Sequence, residues 1–282
     1  TNAFRRARSG QGSVWLLGGE SGVGKSRLVD ELRTLALVRG ARVLRGQTVR
    51  EGGGPYHLLR PILERICLEV PLDDHDLSVL HPILPRLAGL LQRSITLLPA
   101  VDSQSMQERV LVTLLKVFDA AAGDPSHPLV LLLEDLHWAG RESMQVLARL
   151  AGLARQRAIL VLGTYRDDEA PNLPAALPSA EVLKLQRLNN ASTAALCESM
   201  LGESGRNAEL IEFLHRESEG NPFFIVEVMR ALADEAGNLS AVAQQRLPAQ
   251  ILTGGVRAVL DRRIGIARRI LIEAASLIDQ TP

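Results

Sequence analysis

Short apolar runs alternate along the first two thirds of the chain with longer stretches whose apolar positions recur at three- and four-residue spacing. Residues 14–17 form the first run, and residues 26–37 carry Leu28, Val29, Leu32, Leu35 and Ala36 on one helical face. A second short strand is predicted at 42–45, after which "EGGGPY" (51–56) breaks the pattern. Helices are then predicted at 58–70, 77–91 and 106–122, a proline-interrupted helical insertion of about 55–122. Strand, helix and strand follow at 128–135, 142–155 and 158–166, then a Pro- and Ala-rich loop (170–179) and a strand at 182–185. Strands separated by helices imply a parallel α/β sheet with helices on both faces, and continuously apolar strands suit a sheet buried on both sides. From Asn189 onward only the helical period remains, at 191–201, 208–217, 223–235 and again within 247–278. The expected division is therefore an α/β core over 1–187, a helical domain over 188–246 and a further segment over 247–282.

Composition narrows this picture. Of 282 residues 46% are hydrophobic but only 3% aromatic, so the core is built from Leu, Val, Ile and Ala. Net charge is zero, which argues against direct nucleic-acid binding by this chain. Lysine occurs only at Lys25, Lys116 and Lys184. Cys67 and Cys197 lie in apolar helical patterns and read as buried thiols of a reducing, cytoplasmic setting. The longest apolar runs, such as 129–133, are too short to span a bilayer, so no membrane partner is expected. The first residues already read as helix and the chain stops at Gln280-Thr281-Pro282, as expected for a piece of a longer protein.

The first candidate chemistry lies between the first strand and its helix. Gly19, Glu20, Ser21, Gly22, Val23, Gly24, Lys25 and Ser26, followed by Arg27, match G-x-x-x-x-G-K-[ST]. Glycines allow positive φ, so successive N–H groups can form an anion nest at the positive end of the following helix. Lys25 would reach the terminal phosphates, and the Ser26 hydroxyl would ligate Mg²⁺. A second constellation, Glu134 and Asp135, ends the strongest apolar strand. Acids there either cap the next helix or serve a phosphoryl-transfer site, the first holding Mg²⁺ through its waters and the second polarising the attacking water. A third, "LGTYRDDE", offers Thr164 and Arg166 to a γ-phosphate, or a solvated cluster of Arg166 with Asp167, Asp168 and Glu169. The fourth is "EGNPFFIVEV" (219–228), whose Gly220-Asn221-Pro222 turn reads from its chemistry as helix punctuation.

Together "GGESGVGKSRL", "LLLEDLHWAG", "LGTYRDDE" and "EGNPFFIVEV", in this order, resemble the STAND class of signal-transduction ATPases within the AAA-related branch. Similar modules occur in large LuxR-type regulators and beside kinase or cyclase domains. The resemblance implies a P-loop NTPase core, a helical lid, and in 247–282 the start of a winged-helix domain. It implies ATP or ADP with Mg²⁺ as ligands, Glu134, Asp135 and Arg166 as catalytic groups, Ser26 and Glu134 at the metal, and Pro222 at the adenine. Two positions depart from the family: Glu134 replaces a commoner aspartate, and Gly140 stands where a further aspartate is frequent. An opening "VGRE"-like segment is absent, and with it part of the adenine pocket. The function implied is a slowly hydrolysing, ATP-dependent regulatory switch. Its partners would be effector and sensor domains of the same longer chain, with self-assembly when activated. Arg149, Arg155 and Arg157 are the candidates for a finger given in trans. Two other classes fit less well: a DNA-acting AAA ATPase of the initiator or clamp-loader type would need a basic stripe, and a small-molecule P-loop kinase would need a substrate lid in place of the helical tail and the acid pair.

Overall fold

A computed structural model describes residues 2–50, 53–95 and 102–236 of the chain. A short helix α1 (Asn2–Arg8) precedes strand β1 (Ser13–Gly18), helix α2 (Lys25–Val38) and strand β2 (Arg42–Gln47). Four helices follow: α3 (Arg60–Ile66), α4 (Asp74–Leu80), α5 (Leu87–Leu90) and α6 (Ser103–Ala121). Strand β3 (Leu129–Glu134), helix α7 (Arg141–Ala154), strand β4 (Ile159–Thr164), helix α8 (Leu173–Ala176) and strand β5 (Glu181–Lys184) complete the sheet region. Helices α9 (Asn190–Leu201), α10 (Ala208–Ser218) and α11 (Pro222–Ala236) come last.

All five strands are parallel, in the order β2-β3-β4-β1-β5. This is the parallel α/β sheet that the apolar runs imply. Every residue of β3 and β4 is buried, because alternate side chains enter two separate apolar layers. Leu16, Leu131, Leu133 and Val161 pack among α3, α6 and α7, while Leu17, Val130, Leu132 and Leu160 pack among α1 and α2.

The region between β2 and β3 departs in detail from the sequence pattern. The predicted helix over 77–91 is split into α4 and α5 by Pro82 and Pro85, since proline cannot continue the backbone ladder. The helix predicted at 58–70 shortens to α3, and the loop at 170–179 contains the single-turn α8. Lys116 of α6 ties α4 down: its ammonium donates to Asp76 at 2.7 Å and Asp73 at 3.0 Å, the pair that forms the α4 capping box. Residues 247–282, where a winged-helix opening is expected, lie outside the described residues.

The chain divides into two compact units. One comprises Thr1–Glu20 and Lys25–Leu185; the other comprises Ser21–Gly24 with the chain from Gln186 onward. The second unit has its own core of Cys197, Leu210, Phe213, Leu214, Ile225, Val228 and Met229 from α9, α10 and α11. Both cysteines are free and buried, and burial pushes the Cys67 thiol up to about 12. Among the described residues no helix is long and apolar enough to cross a membrane. Leu131 is fully buried at the centre of the sheet. Leu131→Ala should therefore cost about 2–5 kcal/mol, read as a lower urea midpoint with an unchanged slope.

Candidate functional site

The strand order brings the carboxyl ends of β2, β3, β4 and β1 side by side, and the chemistry-bearing residues collect there. At the end of β1 the backbone turns through Gly19, Gly22 and Gly24, all at positive φ (150°, 83° and 100°). Only glycine takes these angles without strain. The loop delivers Lys25 to the first position of α2, where it is 9% exposed. Its ammonium donates to the carbonyls of Gly19 (2.6 Å) and Glu20 (2.7 Å). Burial and the positive field of Arg166 lower the Lys25 pKa, while Asp168, Asp135 and Asp167 oppose that shift. Those charges report which groups surround the lysine.

Glu134 is 3% exposed and ion-paired with the Arg45 guanidinium, which also faces Asp30 at 3.5 Å. Asp135 follows at φ +60°, a left-handed conformation uncommon outside glycine but one that aspartate and asparagine adopt more often than other residues. Three neighbours hold it there. Its N–H donates to the Thr164 hydroxyl at 3.1 Å, its carboxylate accepts from the Gln47 amide at 3.0 Å, and its carbonyl accepts from the Thr48 hydroxyl. Thr164 thus braces the backbone of the acid pair from the neighbouring strand. The positions Gln47 and Thr48 carry no motif of their own. Their signal is a polar pair ending a strand beside β3, visible only once pairing is known.

Arg166 lies just beyond β4. It donates to Glu169 at 2.5 Å, and its guanidinium carbon is 5.6 Å from the centre of the Trp138 ring. His137 packs against the same indole with ring centres 4.5 Å apart. The His137 side chain is 1% exposed, and burial lowers its pKa.

Within the second unit, Asn221 is 4% exposed and its amide donates to the Ser21 carbonyl at 2.9 Å. The Phe223 N–H donates to the Gly22 carbonyl at 3.2 Å. A Cβ on Gly22 would come within 2.7 Å of the Asn221 side-chain oxygen, so this close approach requires glycine. Pro222 opens α11 between these two anchors. Val23 is buried, and Ser26 is exposed at the head of α2.

Arg27 is exposed and pairs with Glu31 at 2.5 Å along the outer face of α2. Arg157 pairs with Asp119 at 2.5 Å.

Residues 1–162 match the family model described as AAA ATPase domain. The chain belongs to the AAA ATPase domain family. Residues 189–246 match a second model, Domain of unknown function (DUF8739). A curated relative, Uncharacterized protein R02095 of Rhizobium meliloti (strain 1021), is 25% identical over 95% of this chain and 27% of its own length. The chain thus spans about a quarter of that relative. Among solved structures, the E. coli MS115-1 HORMA:CdnC:Trip13 complex matches at 15% identity and TM-score 0.44, over 84% of this chain and 75% of that one. Rhizobiales Trip13 matches at 16% identity and TM-score 0.41, over 88% and 78%. A DNA replication initiation factor matches at 14% identity and TM-score 0.39, over 83% and 63%.

Because Lys25 is the buried cation at the glycine loop, Lys25→Ala should abolish Mg·ATP binding. Calorimetry on the purified chain checks this, and unchanged affinity would remove the phosphate assignment.

Proposed function

We propose that this AAA ATPase domain is a slowly hydrolysing, ATP-dependent regulatory switch of the STAND type. The observation that carries the reading is the buried Lys25 ammonium, held by the Gly19 and Glu20 carbonyls in a loop of positive-φ glycines, with the Asp135 carboxylate in its field. Backbone N–H groups of residues 19–26 and the head of α2 receive the phosphates, and Lys25 exchanges its two carbonyl partners for phosphate oxygens.

A hard divalent cation suits the donors present, since the Ser26 hydroxyl, Glu134 and Asp135 offer only oxygen. Ser26 and Glu134 are the residues that would hold Mg²⁺, which would supply positive charge to offset the charge developing on the phosphates. Glu134 must then share its carboxylate between the ion and Arg45. Asp135 is assigned to orient the attacking water. Its left-handed backbone, braced by Thr164 and Thr48, fixes where the carboxylate points, and Gln47 holds one of its oxygens.

Slow turnover follows from what is already committed. Arg166 is the group assigned to the terminal phosphate, and it is paired with Glu169. Arg149, Arg155 and Arg157 are the candidate fingers for a neighbouring copy, Arg157 being paired with Asp119 in this chain. A finger supplied in trans is worth about 10³–10⁵ in rate, so the isolated chain should turn over far below the enzyme median of about 10 s⁻¹. Effector and sensor domains of a longer chain are the partners of such a switch, and its state would be read in the reducing cytoplasm.

The acid pair tests the catalytic assignment. Glu134→Gln should raise the Mg²⁺ concentration needed for nucleotide binding, while Asp135→Asn should leave binding near normal and stop phosphate release. Titration of Mg²⁺ in a binding assay and a steady-state phosphate assay separate the two, and equal mild effects would make the pair structural.

Pro222 is assigned to the adenine because Asn221 and Phe223 fix the turn to Ser21 and Gly22. Asn221→Ala combined with Pro222→Ala should weaken ATP and ADP while leaving competition by inorganic triphosphate little changed. Displacement of a fluorescent nucleotide measures both, and equal loss for triphosphate would remove Pro222 from the base.

A further inference from the structure

His137 is buried at the edge of this site with nothing to bond. Neither ring nitrogen has a hydrogen-bond partner, and its side chain is 1% exposed. An unsatisfied buried polar group is costly, so an imidazole at such a place calls for a partner in some state of the protein. Glu169 is the charged group poised for it. Its Oε2 stands 3.8 Å from His137 Nε2, about 1 Å beyond hydrogen-bonding distance, while its Oε1 accepts from Arg166 at 2.5 Å. The two carboxylate oxygens therefore face two different residues. Trp138 joins them from below, with His137 against one part of the indole and Arg166 over it. Thus the turn that follows the acid pair and the loop that follows β4 share one small cluster.

We propose that His137 is a positioning residue that receives Glu169 when the terminal phosphate of ATP draws Arg166 away. This rests on the assignment of Arg166 to that phosphate. With ADP, Glu169 stays on Arg166 and His137 remains unbonded. With ATP, Arg166 moves to the phosphate and Glu169 closes on the Nε2–H of His137. The exchange offsets the lost ion pair with a buried charge-assisted bond, so it favours ATP over ADP. It also ties the presence of the phosphate to the turn directly after Asp135, because His137 sits in that turn.

The test compares ATP and ADP in the unmodified chain and in variants, with Asp135→Asn present throughout to prevent hydrolysis. His137→Phe keeps an aromatic ring against Trp138 and removes both nitrogens. It should lower the ATP-over-ADP affinity ratio about ten- to a hundredfold, the worth of one such charge-assisted bond, with ADP affinity within about twofold. His137→Gln, which retains a donor, should keep most of the ratio. In a Glu169→Ala background, His137→Phe should change the ratio less than about twofold, because the acceptor is gone. An unchanged ratio, or the same drop with Glu169 absent, would overturn the proposal. Should His137→Phe fail to fold, nitrogen-15 spectra of the histidine rings decide in the protein with native His137. An ATP-specific change at Nε2 that ADP does not produce supports the exchange, and its absence overturns it. If that protein discriminates ATP from ADP normally and only the His137 effects are missing, this inference alone fails. If it binds neither nucleotide, the function falls first.

Discussion

The site depends on one constraint of pairing: β4 lies between β3 and β1, with β2 outside β3. Parallel strands all end in the same direction, so this order sets the glycine loop, Thr164 and Arg166, the acid pair, and Gln47 and Thr48 in one row. The order is held by burial. The central strands fill apolar layers on both sides, and shifting β3 by one residue would exchange Leu131 and Leu133 with Val130 and Leu132 between two layers of different shape. The same shift would carry Glu134 away from Arg45 and Asp135 away from Thr164. The apolar register of the sheet is therefore also the register of its charged edge.

Charges at that edge are managed individually. Lys25 and Glu134 are both nearly buried, where an unpaired charge would be expensive. Lysine is satisfied by two carbonyls of its own loop, which an anion can replace without leaving a donor idle. Glutamate is ion-paired with Arg45, a long side chain that remains 44% exposed and also faces Asp30. Each buried group thus has a partner that a ligand can take over, which suits a site that alternates between states. Asp135 differs, since its backbone is held in a costly conformation by hydroxyls from two neighbouring strands.

In the second unit the Asn221 turn grips Ser21 and Gly22 by one side-chain and one backbone hydrogen bond. Those two residues belong to Ser21–Gly24, the part of the glycine loop that groups with the helices from Gln186 onward. A loop whose backbone carbonyls are held in this way cannot adjust to a phosphate without affecting the start of α11.

The sequence by itself determined the strands, the glycine loop and the acid pair. Short continuous apolar runs bounded by turns suit doubly buried strands such as β3 and β4, and the spacing from Gly19 to Ser26 suits backbone N–H groups arranged around an anion. Local proline chemistry also explains why the predicted 77–91 helix breaks into α4 and α5, although the hydrophobic period masked the break in the sequence. The sequence pattern does not show where the exposed Arg27 side chain turns, which in the structure is toward Glu31 one helical turn away. The tertiary structure alone decided the rest. Gln47, Thr48 and Arg45 meet the acid pair across some 90 residues of chain, and Asn221 meets Ser21 across 200. His137 and Glu169 follow strands β3 and β4, whose pairing brings their segments side by side. Such contacts depend on which strands lie side by side, and a pattern of local spacing carries no record of that choice.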